Sequence, residues 1–275
     1  MFLFKKNSKK VTDHSKTRRI ASEEGALSYL VSNLQQLGKR SSQEDSFALI
    51  NALDVNAINE KGLFAIVADG MGGMKNGKLV SEEAVTGFVQ RFHNLDREVD
   101  IPTQLLESIH NINELLSNKF KGEGGTTVAM VIIYKGMAYW ASVGDSTIYL
   151  KRNGILVKLN KEHNYRSNLY LEEIYKEVIN KDEVESNKDG ARLSEFLGNR
   201  KVEEIDFNKK PLKLRKNDTL LLCTDGVSSF LDERLISDAL NLSPDYACEQ
   251  LCKLIDEKSM NNQDNYTALI ISCVD

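Results

Sequence analysis

The sequence predicts an α+β domain of antiparallel sheets covered by helices, and three observations carry that prediction. Short apolar runs follow one another in hairpin order, a pair of longer helical segments interrupts them, and further helices come late. A βαβ series would instead alternate strand and helix along the whole chain. With 275 residues, 41 % hydrophobic and 28 % charged, the chain suits one substantial domain with a short extension in front. Only 3 prolines and no Gly/Ser-rich stretch argue against a long flexible linker.

The elements follow in order. Residues 27–37 alternate loosely and read as a first strand pair before Gly38. Residues 47–52 and 63–67 are strands bounded by polar turns. In 79–92 the apolar residues fall at Val80, Ala84, Val85, Phe88 and Val89. In 103–120 they fall at Leu105, Leu106, Ile109, Ile112 and Leu115, and both spacings are helical. Residues 126–134, 137–143 and 147–150 make a β meander that turns at Lys135-Gly136 and Gly144-Asp145. Residues 161–188 are charged and helix-prone, with no adjacent strand of convincing length. Strands return at 212–214 and 219–223, helices at 233–240 and 247–258, and residues 267–274 close the chain as a strand.

Charge and cysteine content narrow the function. A net charge of -4 gives no basic face for nucleic acid. Residues 1–25 carry Lys5, Lys6, Lys9, Lys10, Lys16, Arg18 and Arg19 against Asp13, Glu23 and Glu24, a net +4 that leaves -8 for the rest. This leader reads as a flexible, soluble extension, with a docking arm for an anionic partner or membrane surface as the competing reading. Met1-Phe2-Leu3-Phe4 is too short for a signal-peptide core, and no later run approaches a membrane span, so a cytoplasmic location is expected. Cys223, Cys248, Cys252 and Cys273 lack zinc-site spacing, and His14, His93, His110 and His163 are scattered. Reduced, mostly buried thiols fit that pattern.

The most informative residues are acidic: Glu44-Asp45, Asp69, Asp225 and Asp264, each at a predicted strand end or in the turn beside one. Two of them open the parallel phrases Val67-Ala68-Asp69-Gly70 and Cys223-Thr224-Asp225-Gly226, each after an apolar run. A buried strand ending in Asp-Gly delivers a carboxylate to the rim of a sheet, where the glycine permits a tight turn. Several such carboxylates on one rim repel unless cations sit between them, which points to oxygen ligands for magnesium or manganese.

Here the residues match a known family. Gly38-Lys39-Arg40-Ser41-Ser42-Gln43-Glu44-Asp45 resembles the opening motif of the metal-dependent PP2C-type (PPM) serine/threonine phosphatases. Ala68-Asp69-Gly70-Met71-Gly72-Gly73 resembles the second motif in its bacterial form. Gly125-Thr126-Thr127 and Ala141-Ser142-Val143-Gly144-Asp145-Ser146 are similar to the central pair. Leu222-Cys223-Thr224-Asp225-Gly226-Val227 and Gln263-Asp264-Asn265-Tyr266-Thr267 resemble the last two. Six motifs in family order over about residues 27–275 make a specific signal, although Asp-Gly alone is common in turns.

The resemblance implies a four-layer αββα sandwich (PP2C-like) over residues 26–275, with a flap at about 161–192. It implies two Mn2+ or Mg2+ ions and a weaker third. Asp69 would bridge the two metals, Asp225 and Asp264 would bind the first, and Glu44 with the Gly70 carbonyl the second. Asp145 would hold the third metal, and a turn aspartate capping its own hairpin is the competing reading there. Asp45 would orient the water beside the metals, and Arg40 would grip the substrate phosphate, since guanidinium bonds two oxygens at once. Arg40 pairing structurally with Glu44 or Asp45 is the plainer alternative. His163 follows Glu162 where the family has a histidine after an acidic residue, and general acid and structural histidine are equal readings. Gly72 and Gly73 would keep the floor of the site low. Gln43, Lys78, Thr147, Glu162 and Met71 depart from the commonest family pattern, and none of them is an expected ligand. Asp182 and Asp189, in the flap, are further third-metal candidates without a firm alignment.

The expected activity is metal-dependent hydrolysis of phosphoserine and phosphothreonine in proteins, opposing a Ser/Thr kinase. The competing readings are a non-catalytic phosphoprotein-binding member of the fold and a phosphatase for a small phosphomonoester.

Overall fold

The computed structural model describes residues 27–71, 75–177, 179–258 and 263–274. The basic leader, Gly72 and Gly73 lie outside the described residues. Two antiparallel sheets stack face to face. The first holds, in spatial order, β1 (Ser28–Gln36), β11 (Tyr266–Val274), β10 (Thr219–Cys223), β6 (Thr147–Arg152) and β7 (Ile155–Lys158). The second holds β2 (Ser46–Ile50), β3 (Leu63–Ala68), β4 (Val128–Tyr134), β5 (Met137–Val143) and β8 (Asp206–Phe207), with β9 (Leu212–Lys213) also pairing to β5. The helices are α1 (Val55–Lys61), α2 (Gly77–His93), α3 (Ile101–Phe120), α4 (Tyr165–Tyr175), α5 (Lys181–Glu185), α6 (Asp225–Ser228), α7 (Glu233–Ala239) and α8 (Pro244–Lys258).

Three apolar layers hold this αββα stack together. Val67, Val131, Ile148, Leu220 and Leu269 fill the space between the sheets. Phe64, Ile66 and Met130 face the opposite way, against Val80, Phe88, Ile109 and Ile112 of α2 and α3. Leu221 and Ile270 pack against Ile236, Ala247, Leu251 and Ile255 of α7 and α8. Covered on both faces, β3 and β10 read as continuous apolar runs rather than alternating ones, and every residue of both is buried.

The structure redraws four parts of the sequence reading. Residues 27–37 form not a strand pair but one strand, β1, paired along its whole length with β11 from Ser28↔Val274 to Gln36↔Tyr266. The meander also breaks. β4 and β5 make the expected hairpin at Lys135-Gly136, whereas β5 and β6 belong to different sheets, so Gly144-Asp145 is a crossing between layers. Gly144 has φ +100°, and a Cβ there would lie 2.6 Å from Thr127 Cγ2, so only glycine fits the crossing. Helix α1 adds an element between β2 and β3: Asp54 caps it by accepting from Ala57 N–H at 3.0 Å, and Gly62 ends it at φ +83°. Strand β7 was signalled by Asn153-Gly154, whose φ values of 53° and 77° belong to the tight hairpin turn that this dipeptide favours.

Register brings the chemistry to one pole. The last residues of β1, β3 and β10 pair with the first of β11, β2 and β6, so all the acidic segments emerge at the same end of the stack.

Candidate metal centre

Backbone bonds anchor the segments that carry the carboxylates. Asp69 follows β3. Its N–H donates to Thr127 Oγ1 (3.0 Å), and its carbonyl accepts from Thr127 N–H (2.9 Å) and Thr126 Oγ1 (2.8 Å). Thr127 Oγ1 in turn shares a 2.7 Å bond with Ser146 Oγ beside Asp145, which ties the two acidic turns together. Asp225 opens α6 directly after β10. The glycine behind it is obligatory, because a Cβ on Gly226 would stand 2.0 Å from the Asn265 carbonyl oxygen. Asp264 Oδ1 accepts from Asn265 N–H at 2.8 Å.

Glu44 and Asp45 lie just ahead of β2. The Glu44 carbonyl accepts from Gly70 N–H (3.2 Å) and Ser81 Oγ (2.5 Å), so the first motif, the second motif and α2 meet at one oxygen. Gly70 and Gly77 make this contact fit: a Cβ on Gly70 would lie 2.5 Å from the Gly77 carbonyl oxygen, and one on Gly77 2.8 Å from Glu44 Oε2. The Glu44 carboxylate therefore sits at the N-terminus of α2, where the helix dipole favours negative charge. Asn265 staples the opening loop, accepting from Glu44 N–H (2.8 Å) and donating to the carbonyls of Leu37 (2.9 Å) and Ser42 (3.1 Å).

These acids crowd one another. Burial above all pushes Asp45 up to about 7 and Asp145 to about 8, with Asp225 adding to both. Burial also raises Asp69 well above the carboxylate range, reinforced by the charges of Asp45, Asp225 and Asp145. Asp225 is raised as well, by burial first, while its side-chain hydrogen bond with Asp69 pulls the other way. Three carboxylate oxygens, Glu44 Oε2, Asp45 Oδ1 and Asp225 Oδ1, are buried without a hydrogen-bond partner. Buried anionic oxygens are costly unless paired, so this donor set fits a hard cation. Among the described residues no three His, Cys, Asp or Glu side chains are spaced to close around one ion. Two internal contacts accompany this: Asp69 bonds Asp225, and Arg40 Nη2 donates to Asp264 Oδ2 at 2.6 Å.

The remaining site residues are placed as follows. Arg40 is half-exposed and pairs with Asp264, not with Glu44 or Asp45. His163 is buried at 2 % exposure; its ring Nδ1 accepts from Gly144 N–H (3.1 Å), and its backbone N–H donates to the Gly144 carbonyl (2.9 Å). It braces the crossing that carries Asp145, and burial lowers its pKa. Glu162 is held by Asn164 Nδ2 (2.8 Å) and by Lys158. Residues 161–192 contain α4 and α5, as their helix-prone composition predicts, and carry exposed Leu171, Ile174 and Tyr175. Sequence reading missed the hydroxyl and amide layer behind the acids: Thr224, Thr267, Thr127, Ser146 and Asn265. All lie inside the quoted motifs, so their adjacency to the acids was the available signal.

Comparison with known proteins places the chain in a family. Residues 38–263 match the family model described as protein phosphatase 2C. The chain belongs to the protein phosphatase 2C family. Membership makes it a protein serine/threonine phosphatase, as its motif order implied. It is similar to the serine/threonine phosphatase stp of Listeria welshimeri, 29 % identical over 214 residues that cover 75 % of this chain and 82 % of the relative. Its fold is that of the S. agalactiae serine/threonine phosphatase, at a TM-score of 0.75 and 23 % identity, covering 90 % of this chain and 100 % of that one. The catalytic domain of the phosphatase PstP, solved in complex with 2 manganese ions, superposes at a TM-score of 0.70 with 22 % identity, covering 90 % and 100 %. No helix among the described residues is long and apolar enough to cross a membrane.

Proposed function

We propose that this phosphatase removes phosphate from phosphoserine and phosphothreonine in proteins, opposing a Ser/Thr kinase in the cytoplasm, with two divalent cations, Mn2+ or Mg2+, and a weaker third. The observation that carries the reading is the pole of carboxylates, with three buried, unpartnered oxygens among them, in a chain of this family. Asp69, Asp225 and Asp264 would hold the first cation, Asp69, Glu44 and the Gly70 carbonyl the second, and Asp145 the weaker third. Bound divalent ions lower the pKa of water from about 15.7 towards roughly 7 and clamp the oxygens of an in-line displacement. A relative's two manganese ions support that number of sites.

The chain's own residues do the rest. Arg40, half-exposed at the rim, turns its remaining donors to the phosphate and neutralises its charge. Asp45 accepts a hydrogen bond from the attacking water and sets its direction. The water oxygen bonds to phosphorus as the ester P–O bond breaks, one water proton leaves, and the departing serine or threonine oxygen gains one. His163 Nδ1 already accepts from Gly144 N–H, so we assign it to holding the Asp145 crossing and leave protonation of the departing oxygen to solvent. The basic leader, residues 1–25, is an extension outside the catalytic unit, and residues 161–192 form a flap beside the site.

Phosphate release from a phosphothreonine peptide, with and without Mn2+, tests the reading in wild type and Asp69→Ala. Activity that needs metal and disappears in the variant is expected. Metal-independent release would refute the mechanism, and faster turnover of small phosphomonoesters than of peptides would move the substrate class.

A further inference from the structure

Asp45 is held by an arrangement that nothing in its proposed role requires by itself. Its Oδ2 accepts two hydroxyl bonds, from Thr267 Oγ1 at 2.7 Å and from Thr224 Oγ1 at 3.0 Å. Both threonines are fully buried, and they are fixed to each other: Thr267 N–H donates to Thr224 Oγ1 (3.0 Å) and Thr224 N–H donates to the Thr267 carbonyl (3.0 Å). Gln35 adds a third side, donating to the Asp45 carbonyl at 3.1 Å. The hydroxyls come from the end of β10 and the start of β11, in one sheet, whereas Asp45 leads into β2 in the other. The clamp therefore joins the two sheets at the site's pole.

Its chemical consequence is an asymmetric carboxylate. One oxygen is saturated by two neutral donors, and the other, Oδ1, is buried with no partner. Rotation about the Cβ–Cγ bond would break both hydroxyl bonds at once, so the side chain has a single orientation. Asp225 and Asp264 both act on its charge, so it stands among the expected ligands. A carboxylate that directs a nucleophile must be fixed closely, because small errors in near-attack geometry cost large factors in rate.

We propose that Thr224 and Thr267 are positioning residues, a hydroxyl clamp that holds Asp45 with Oδ1 turned to the attacking water. The inference rests on the phosphatase reading above and adds two residues to it. Both threonines are fully buried, so a β-branched replacement such as valine keeps the shape and removes only the hydroxyl. Thr267 is the cleaner site, because Thr224 Oγ1 also satisfies the Thr267 N–H. Serine at either position keeps the hydroxyl.

The test compares wild type, Thr267→Val, Thr267→Ser, Thr224→Ser and Asp45→Ala. It measures Mn2+ affinity by calorimetry, thermal melting, and kcat and KM on a phosphothreonine peptide. The clamp predicts that Thr267→Val binds Mn2+ within about twofold of wild type and keeps its KM, while kcat falls roughly tenfold towards Asp45→Ala. Both serine variants should return to near wild-type kcat. Unchanged kcat in Thr267→Val, or equal losses in the valine and serine variants, would overturn the clamp. So would a tenfold loss of Mn2+ affinity in Thr267→Val, which would assign the hydroxyl to the metal site as a whole. Failure of wild type itself to bind Mn2+ would instead remove the parent reading, and the clamp with it.

Discussion

Replacing Asn265 by alanine should loosen the opening motif more than any surface change nearby. The side chain is buried at 4 % exposure and makes three bonds to that loop, at 2.8, 2.9 and 3.1 Å. Alanine leaves the Glu44 N–H without its acceptor, at a cost of about 1–3 kcal/mol for a buried donor. The carbonyls of Leu37 and Ser42 belong to exposed residues and can turn to water, so each lost bond there costs only about 0.5–1.5 kcal/mol. The sum is about 2–6 kcal/mol, and at about 2–4 °C per kcal/mol for a domain of this size the melting temperature should fall by roughly 4 °C or more. Calorimetric melting of the metal-free protein reads this directly. Glu44 would also lose its anchor, so Mn2+ binding should weaken in the same variant. A melting temperature within about 2 °C of wild type, half of the smallest expected shift, would refute the staple.

Other outcomes follow from the crowded acids and from Arg40. Asp45 and Asp145, raised to about 7 and about 8 from 3.8, hold more protons folded than unfolded. Their contribution is therefore fully present below the unfolded value and is lost as pH rises through 7 to 8. The metal-free protein should melt lower at pH 8 than at pH 5.5, and Mn2+ should raise the melting temperature more at pH 8; a flat or rising metal-free profile would contradict the crowding. Arg40→Ala should leave melting almost unchanged, since the half-exposed pair with Asp264 is worth at most about 1 kcal/mol. The same variant should raise KM for a phosphopeptide several-fold, and a large stability loss with unchanged KM would assign Arg40 to structure alone.

The acidic ligand candidates were legible because their signal is local. Asp-Gly after a buried apolar run identifies a strand-end carboxylate at Asp69 and at Asp225 without knowledge of any partner. Helices α2 and α3 were legible for the same reason, since a helix writes its buried face into a spacing of three and four residues. Strand pairing is not written that way. β1 reads as a broken pair because its partner, β11, lies at the far end of the chain, and no residue in 27–37 records that pairing. Gly144-Asp145 looks like any hairpin turn, and only packing shows it crossing from one sheet to the other.

The sequence by itself therefore determined the class of fold, the family and the residues that carry charge to the site, because each depends on neighbours in the chain. Tertiary structure decided which of those charges meet, that Arg40 rests on Asp264, and that His163 is spent on the Gly144 crossing. It also decided that Asp45 is gripped by Thr224 and Thr267. A threonine at a strand end satisfies β propensity wherever it points, so its sequence context is the same with or without a carboxylate to hold. Only the stacking of two sheets, at a register set by their shared core, puts hydroxyl and acid within 3.0 Å of each other.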